Sequence, residues 1–233
     1  MRRLPRLLAL VILASGLLWT SPASAGEQSL NLFIGGFMPR GADGRVNDDV
    51  LFRNQEFLFF DISQFNGATV GAEWLVALGD HVDAGVGVGF YVNTVPAVYT
   101  YLISDDGSEI AQDLRLRIAP VTATVRFLPL GRRGPVRPYI GAGASIYWWR
   151  YSETGQFVDA NDGGIFYDSF AASDTDVGPV VFGGISVPVG PAGIGTEIRY
   201  QAGTGELPPD LGFAGSAIDL GGLSVLATVS FRF

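Results

Sequence analysis

From Leu223 to the final residue the chain is written in steps of two. Leu223, Val225, Ala227, Val229, Phe231 and Phe233 fall on one parity, and Gly222, Ser224, Thr228, Ser230 and Arg232 on the other, with Leu226 the exception. Side chains alternate between the faces of a strand but repeat about every 3.6 residues in a helix, so this stretch predicts a strand with one apolar and one polar face. Seven further segments read the same way. Leu30, Leu32, Ile34 and Met38 alternate in the first. Val70, Ala72, Trp74, Val76 and Leu78 oppose Thr69, Gly71 and Glu73 in the second; after Gly79-Asp80-His81, Val82, Ala84, Val86, Val88 and Phe90 oppose Asp83, Gly85, Gly87 and Gly89 in the third. The fourth spans 113–128; the fifth holds Ile140 to Trp148, the sixth Val181 to Val189, and the seventh Ile194 to Tyr200.

The fourth segment changes phase. Leu114, Leu116 and Ile118 share one parity, Val121, Ala123, Val125 and Phe127 the other, and the switch falls at Ala119-Pro120. Proline cannot donate to a ladder, so a β-bulge is predicted there to return the apolar side chains to one face. Connections alternate in length. Residues 79–81, 129–135 and 190–193 are short; 40–66, 92–112, 152–176 and 202–216 are long.

Residues 1–25 read as an export signal: basic Arg2, Arg3 and Arg6, an apolar run from Leu7 to Leu18, and Ala23-Ser24-Ala25 as a cleavage site after Ala25. That leaves 26–233 as one domain. Beyond Ala25 no uninterrupted apolar run reaches the roughly 18 residues a transmembrane helix needs, although 48% of the chain is hydrophobic. A closed barrel is the other structure that satisfies every backbone group inside lipid. The expected fold is an all-β, eight-stranded antiparallel up-and-down transmembrane β-barrel, with short periplasmic turns and long outer loops.

Charge placement sharpens this. All 15 basic residues are arginine, against 23 carboxylates, a formal net charge of −8. The mature chain is more acidic still, and most of its acid falls in the long connections. That excludes nucleic acid as a natural partner. Glu73, Arg117, Arg126, Glu197 and Arg199 fall on the polar parity and are assigned to the lumen, because an arginine on lipid at mid-depth costs roughly 2–4 kcal/mol. In so narrow a barrel they form a salt-bridged structural core. Trp148, Trp149 and Tyr200 are assigned to the interfacial aromatic belt, with Tyr151 at the same level; the alternative for Trp149 and Tyr151 is an inward position as core aromatics. The apolar loop segment 57–65 is expected to pack on the barrel mouth, on the outer leaflet or on a partner.

Sites for chemistry are sparse. With no cysteine and one histidine, His81, no thiolate cluster, three-histidine site or outward-facing Ser–His–Asp set can be built. Asp159-Ala160-Asn161-Asp162-Gly163-Gly164 resembles the start of a calcium loop, but Phe170 stands where a bidentate Glu would be. No catalytic residue, cofactor or metal is assigned. The acidic loops could also bridge to lipopolysaccharide through divalent cations.

Val229, Phe231 and Phe233 resemble the C-terminal β-signal of outer-membrane barrels, which implies recognition by the barrel assembly machinery. Pro138-Tyr139-Ile140-Gly141-Ala142-Gly143-Ala144 resembles the P-Y-x-G-x-G strand of the OmpA/OmpX-like group. Arg117 to Pro129 resembles uncharacterised members of the outer-membrane β-barrel domain family. The resemblance covers 26–233; the barrel is expected to be a monomer in contact with outer-membrane lipid and lipopolysaccharide. None of these motifs specifies an activity; the side-chain-filled lumen and the long acidic loops suggest a structural or surface-interaction role, with a narrow solute channel or a lipid-modifying enzyme as alternatives.

Overall fold

The computed structural model describes residues 27–159 and 162–233; the export-signal assignment lies outside them. Eight long strands close a ring: β1 (Gln28–Pro39), β3 (Gly67–Ala77), β4 (Val82–Ile103), β5 (Glu109–Phe127), β6 (Arg137–Val158), β7 (Ile165–Val189), β8 (Ala192–Gln201) and β11 (Gly222–Arg232). Each pairs antiparallel with its neighbours, and β1 closes on β11 from Ser29↔Arg232 to Pro39↔Gly222. Short pieces decorate the ring: β2 (Leu58–Phe59) on β4, the β9 (Thr204–Glu206) and β10 (Ala217–Asp219) hairpin, and the helix α1 (Val50–Asn54). No helix among the described residues is long and apolar enough to cross a membrane.

Three connections, 78–81, 128–136 and 190–191, gather at one end of the barrel, the turn end. The tightest is Gly190-Pro191, flanked by the pair Val189↔Ala192; Gly190 sits at φ 60°, which glycine tolerates at no steric cost. The opposite, loop end differs from expectation. Segments 92–112 and 152–176 are strand rather than loop: β4 and β5 are joined only across 104–108, and β6 and β7 only across 159–164. These strands run to 22, 19, 22 and 25 residues, about twice what a tilted strand needs to span lipid.

The outer surface of the turn-end half is an apolar belt. Ile34, Val70, Trp74, Val86, Val88, Val125, Ile140, Val181, Ile198 and Val225 all stand exposed around the ring. Glycine and small polar residues line the wall inside. Gly85 leaves room for the side chain of Glu73, whose Oε1 would lie 2.9 Å from a Cβ there. Leu226, the one apolar residue on the polar parity of β11, is buried in the lumen opposite Gly35.

No bulge exists at Ala119-Pro120. The β4–β5 register is the same at Val88↔Val121 and Tyr91↔Ile118, and β5–β6 pairing runs unbroken through Pro120↔Tyr147. What changes is the surroundings. Below Pro120 the outward parity is apolar and the inward parity holds Thr122, Thr124 and Arg126. Above it Leu114, Leu116 and Ile118 point inward and are buried, while Arg115 and Arg117 point outward. The polarity of wall and interior inverts where the strands leave the belt.

A charged layer under an apolar plug: the candidate functional site

The lower lumen is closed by a four-residue ionic layer. Glu73 on β3, Arg126 on β5 and Glu197 and Arg199 on β8 are all buried. Arg126 ion-pairs with Glu73, and its Nη2 lies 3.2 Å from Glu197 Oε2. Arg199 Nη2 lies 2.7 Å from Glu197 Oε1 and 3.9 Å from Glu73 Oε2. Thr124 Oγ1 donates to Glu73 at 2.8 Å and the Tyr139 hydroxyl donates to Glu197 at 2.9 Å. The guanidiniums also stack: Arg126 over Tyr139 at 4.6 Å and Arg199 over Phe33 at 5.1 Å. Two positive and two negative groups cancel, which makes such a layer tolerable in a low-dielectric interior only because its partners are in place.

Above that layer the interior becomes a hydrocarbon core. Tyr91 and Val95 of β4, Leu114, Leu116 and Ile118 of β5, and Tyr147, Trp149 and Tyr151 of β6 converge there. They receive Val50, Leu51, Leu58, Phe60, Ile62 and Phe65 from the first long connection, and Leu207, Ile218 and Leu220 from the last. The segment 57–65 therefore packs into the barrel mouth. Its alternate residue Phe59 stays 72% exposed.

Polar contacts pin the plug. Asp49 caps α1, accepting from Leu51 N at 3.0 Å and Phe52 N at 3.2 Å, and Arg45 grips both its carboxylate oxygens at 2.9 and 2.8 Å. The Asp219 amide donates to the same carboxylate at 2.6 Å, so Asp49 joins the first and last connections. Asn54 Nδ2 donates to Glu153 at 2.7 Å, and the Tyr151 hydroxyl donates to the same oxygen at 2.8 Å. Burial pushes the Glu153 carboxyl up, offset in part by those two donors, and pushes the Tyr151 hydroxyl up as well. The Trp149 indole donates to Asp176 at 2.8 Å.

Between the two layers lies a cavity of about 20 Å³ walled by Phe37, Thr69, Tyr91, Ile118, Pro120, Gln201 and Ser224, room for one water. At the turn end a recess of about 60 Å³ reaches Arg126 and stops at the ionic layer.

Two assignments need correction. Arg117 does not face the lumen; it stands on the outer wall opposite Arg150. Trp149 does not belong to the interfacial belt; it is buried in the plug. Both lie above the inversion, where an inward position is apolar and an outward one meets water. Trp148 and Tyr200 do face outward, at 52% and 41% exposure. Val229, Phe231 and Phe233 lie on the outward face of the closing strand. His81 stacks near Phe127, ring centroids 6.5 Å apart, at the turn end. Among the described residues no cluster of three or more His, Asp or Glu side chains could hold a metal, and residues 160 and 161 of the calcium-like segment lie outside them. Arg45, Asp49 and Asn54 carried no sequence signal beyond lying next to an unusually apolar loop, and Glu153 carried none.

No family model and no curated protein matches the sequence. Solved structures do resemble the fold. Neisserial surface protein A is 16% identical, with 89% of this chain aligned to 97% of that one at a TM-score of 0.46. The N-terminal β-barrel domain of Pseudomonas aeruginosa OprF is 10% identical, with 89% and 98% covered and a TM-score of 0.43. The E. coli outer membrane protein W is 15% identical, with 91% and 100% covered and a TM-score of 0.42. Such figures concern architecture alone, and the architecture is already given by the strand pairing: this chain is a closed, eight-stranded transmembrane β-barrel.

Proposed function

We propose that the chain is an integral outer-membrane protein that conducts no solute and holds a rigid, folded platform at the cell surface. The turn end faces the periplasm and the loop end faces outward, as short turns and long hairpins do in such barrels. The observation that carries the reading is the double closure. A neutral ionic layer fills the lower lumen, and a core built from both the wall and two inserted connections fills the upper one. A channel needs neither the inserted aromatics nor α1 capped and tied across the mouth.

A surface-interaction role suits what the platform displays. Tyr101, Ile103 and Tyr167 stand exposed near the tips of the two long hairpins, among acidic residues. The surrounding lipid and lipopolysaccharide are the expected neighbours of the belt, and Val229, Phe231 and Phe233 the segment offered to the assembly machinery. An enzymatic role finds little support, since His81 sits at the periplasmic end, away from outer-leaflet substrates. The purified barrel in a planar bilayer should give no steady current. Stable nanosiemens openings would overturn the closed-barrel reading and favour the narrow channel.

A further inference from the structure

On the outer wall, directly above the apolar belt, β5 and β6 carry a cluster of unpaired positive charge. Arg117 and Arg150 are a cross-strand pair, and Arg115 lies two residues further out on the same face, opposite Ser152. The four side chains line an open recess of about 320 Å³. Like charges placed directly opposite one another in a sheet repel. Elsewhere on the surface Arg40, Arg53, Arg132, Arg133 and Arg232 each reach a carboxylate within 4 Å, whereas these three guanidiniums, like the single Arg137 at the turn end, have no such partner among the described residues. The outward residues beside them in register are Val92, Thr94 and Ser173, none of them acidic. On the same face of β5 the carboxylates lie further out, Asp113 one step beyond Arg115 and Glu109 near the hairpin tip.

Depth identifies what would neutralise the cluster. One step toward the belt from Arg117 and Arg150 come Ala119 and the half-exposed Trp148, a cross-strand pair at the level where an indole meets headgroups. Arginines one step above are at the height of the outer leaflet's charged groups. Guanidinium binds phosphate with two parallel hydrogen bonds and neutralises it. We infer that Arg115, Arg117 and Arg150 form a binding site for the phosphate groups of lipopolysaccharide, which seats an otherwise acidic protein in an anionic leaflet. This rests on the membrane reading above and adds a specific lipid partner and its docking face.

The test is native mass spectrometry of the mature protein released from nanodiscs containing lipid A, either bisphosphorylated or enzymatically dephosphorylated. Wild type should retain the bisphosphorylated form about tenfold more than the dephosphorylated one, as expected for loss of charge-assisted hydrogen bonds. The variant R115Q/R117Q/R150Q should lose that preference, and R53Q/R133Q should keep it. Equal retention of both lipids by wild type, or an undiminished preference in the triple variant, would overturn the site. Displacement of the lipid by millimolar inorganic phosphate would overturn lipid as the source and point to soluble anions. Heat-modifiable migration reports insertion separately: wild type that never inserts sinks the membrane reading instead. Should the triple variant fail to insert, R117Q and R150Q singly carry the same comparison.

Discussion

The two halves of the barrel interior obey opposite rules. In the turn-end half the outside is apolar, and Glu73, Arg126, Glu197 and Arg199 occupy the inside beside glycines and threonines. In the loop-end half the outside carries Thr94, Arg115, Ser152 and Thr154, and the inside is packed with Leu116, Tyr151, Phe65 and Ile218. The strands are continuous through both, so backbone geometry does not cause the difference. The solvent does. Hydrocarbon outside rewards apolar outward side chains and leaves the interior free to hold matched charges. Water outside restores the ordinary arrangement of a soluble protein, with its apolar side chains within.

The comparison can be broken most sharply in the lower half. Glu73→Ala leaves Arg126 and Arg199 to share Glu197, and should destabilise the barrel in lipid by about 3–5 kcal/mol, read from urea unfolding. The upper half should fail differently. Leu51→Ala opens a cavity in the plug and should weaken it by about 2–5 kcal/mol, seen as faster amide exchange and proteolysis across 40–66, while the lower strands stay protected. Equal loosening of both halves would mean that they are one cooperative unit.

A smaller effect follows from Glu153. Burial raises its carboxyl above the ordinary value of 4.5, so the fold favours the protonated form. Its contribution to stability is therefore complete below that ordinary value and is lost as pH rises through the raised one. Amide protection in the plug should increase on acidification through that window, and Glu153→Gln should flatten the dependence. The smallest effect is expected on the outer wall, where Arg117→Leu should change unfolding by no more than about 0.5 kcal/mol. A large loss there would place Arg117 in the interior after all.

Much of this was legible from residues alone, because alternation is a direct record of which face meets lipid. The eight strands, the tight turns and the ionic quartet all follow from parity. The record becomes ambiguous at Ala119-Pro120. A phase change can mean an extra residue in the strand or a change of solvent outside it, and parity alone does not separate the two. Reading it as a bulge put Arg117 inside, whereas Trp149 was grouped with the outward Trp148 although it falls on the other parity, and 92–112 and 152–176 were left as loops. The apolar stretch at 57–65 was the clue to the alternative, since greasy side chains at the mouth require a greasy surface to cover. The polar pins Asp49 and Asn54 were invisible, because their partners Arg45, Asp219, Tyr151 and Glu153 are fixed only once the connections fold inward.

The inversion itself can be measured directly, since the chain has no cysteine of its own. Spin labels on Val88→Cys, Val125→Cys, Thr94→Cys, Arg115→Cys and Leu116→Cys in liposomes can be probed with oxygen, which partitions into lipid, and with a water-soluble nickel chelate. Labels at positions 88 and 125 should respond to oxygen, those at 94 and 115 to nickel, and the label at 116 weakly to both. An oxygen-accessible label at 116 beside a shielded one at 115 would contradict the account.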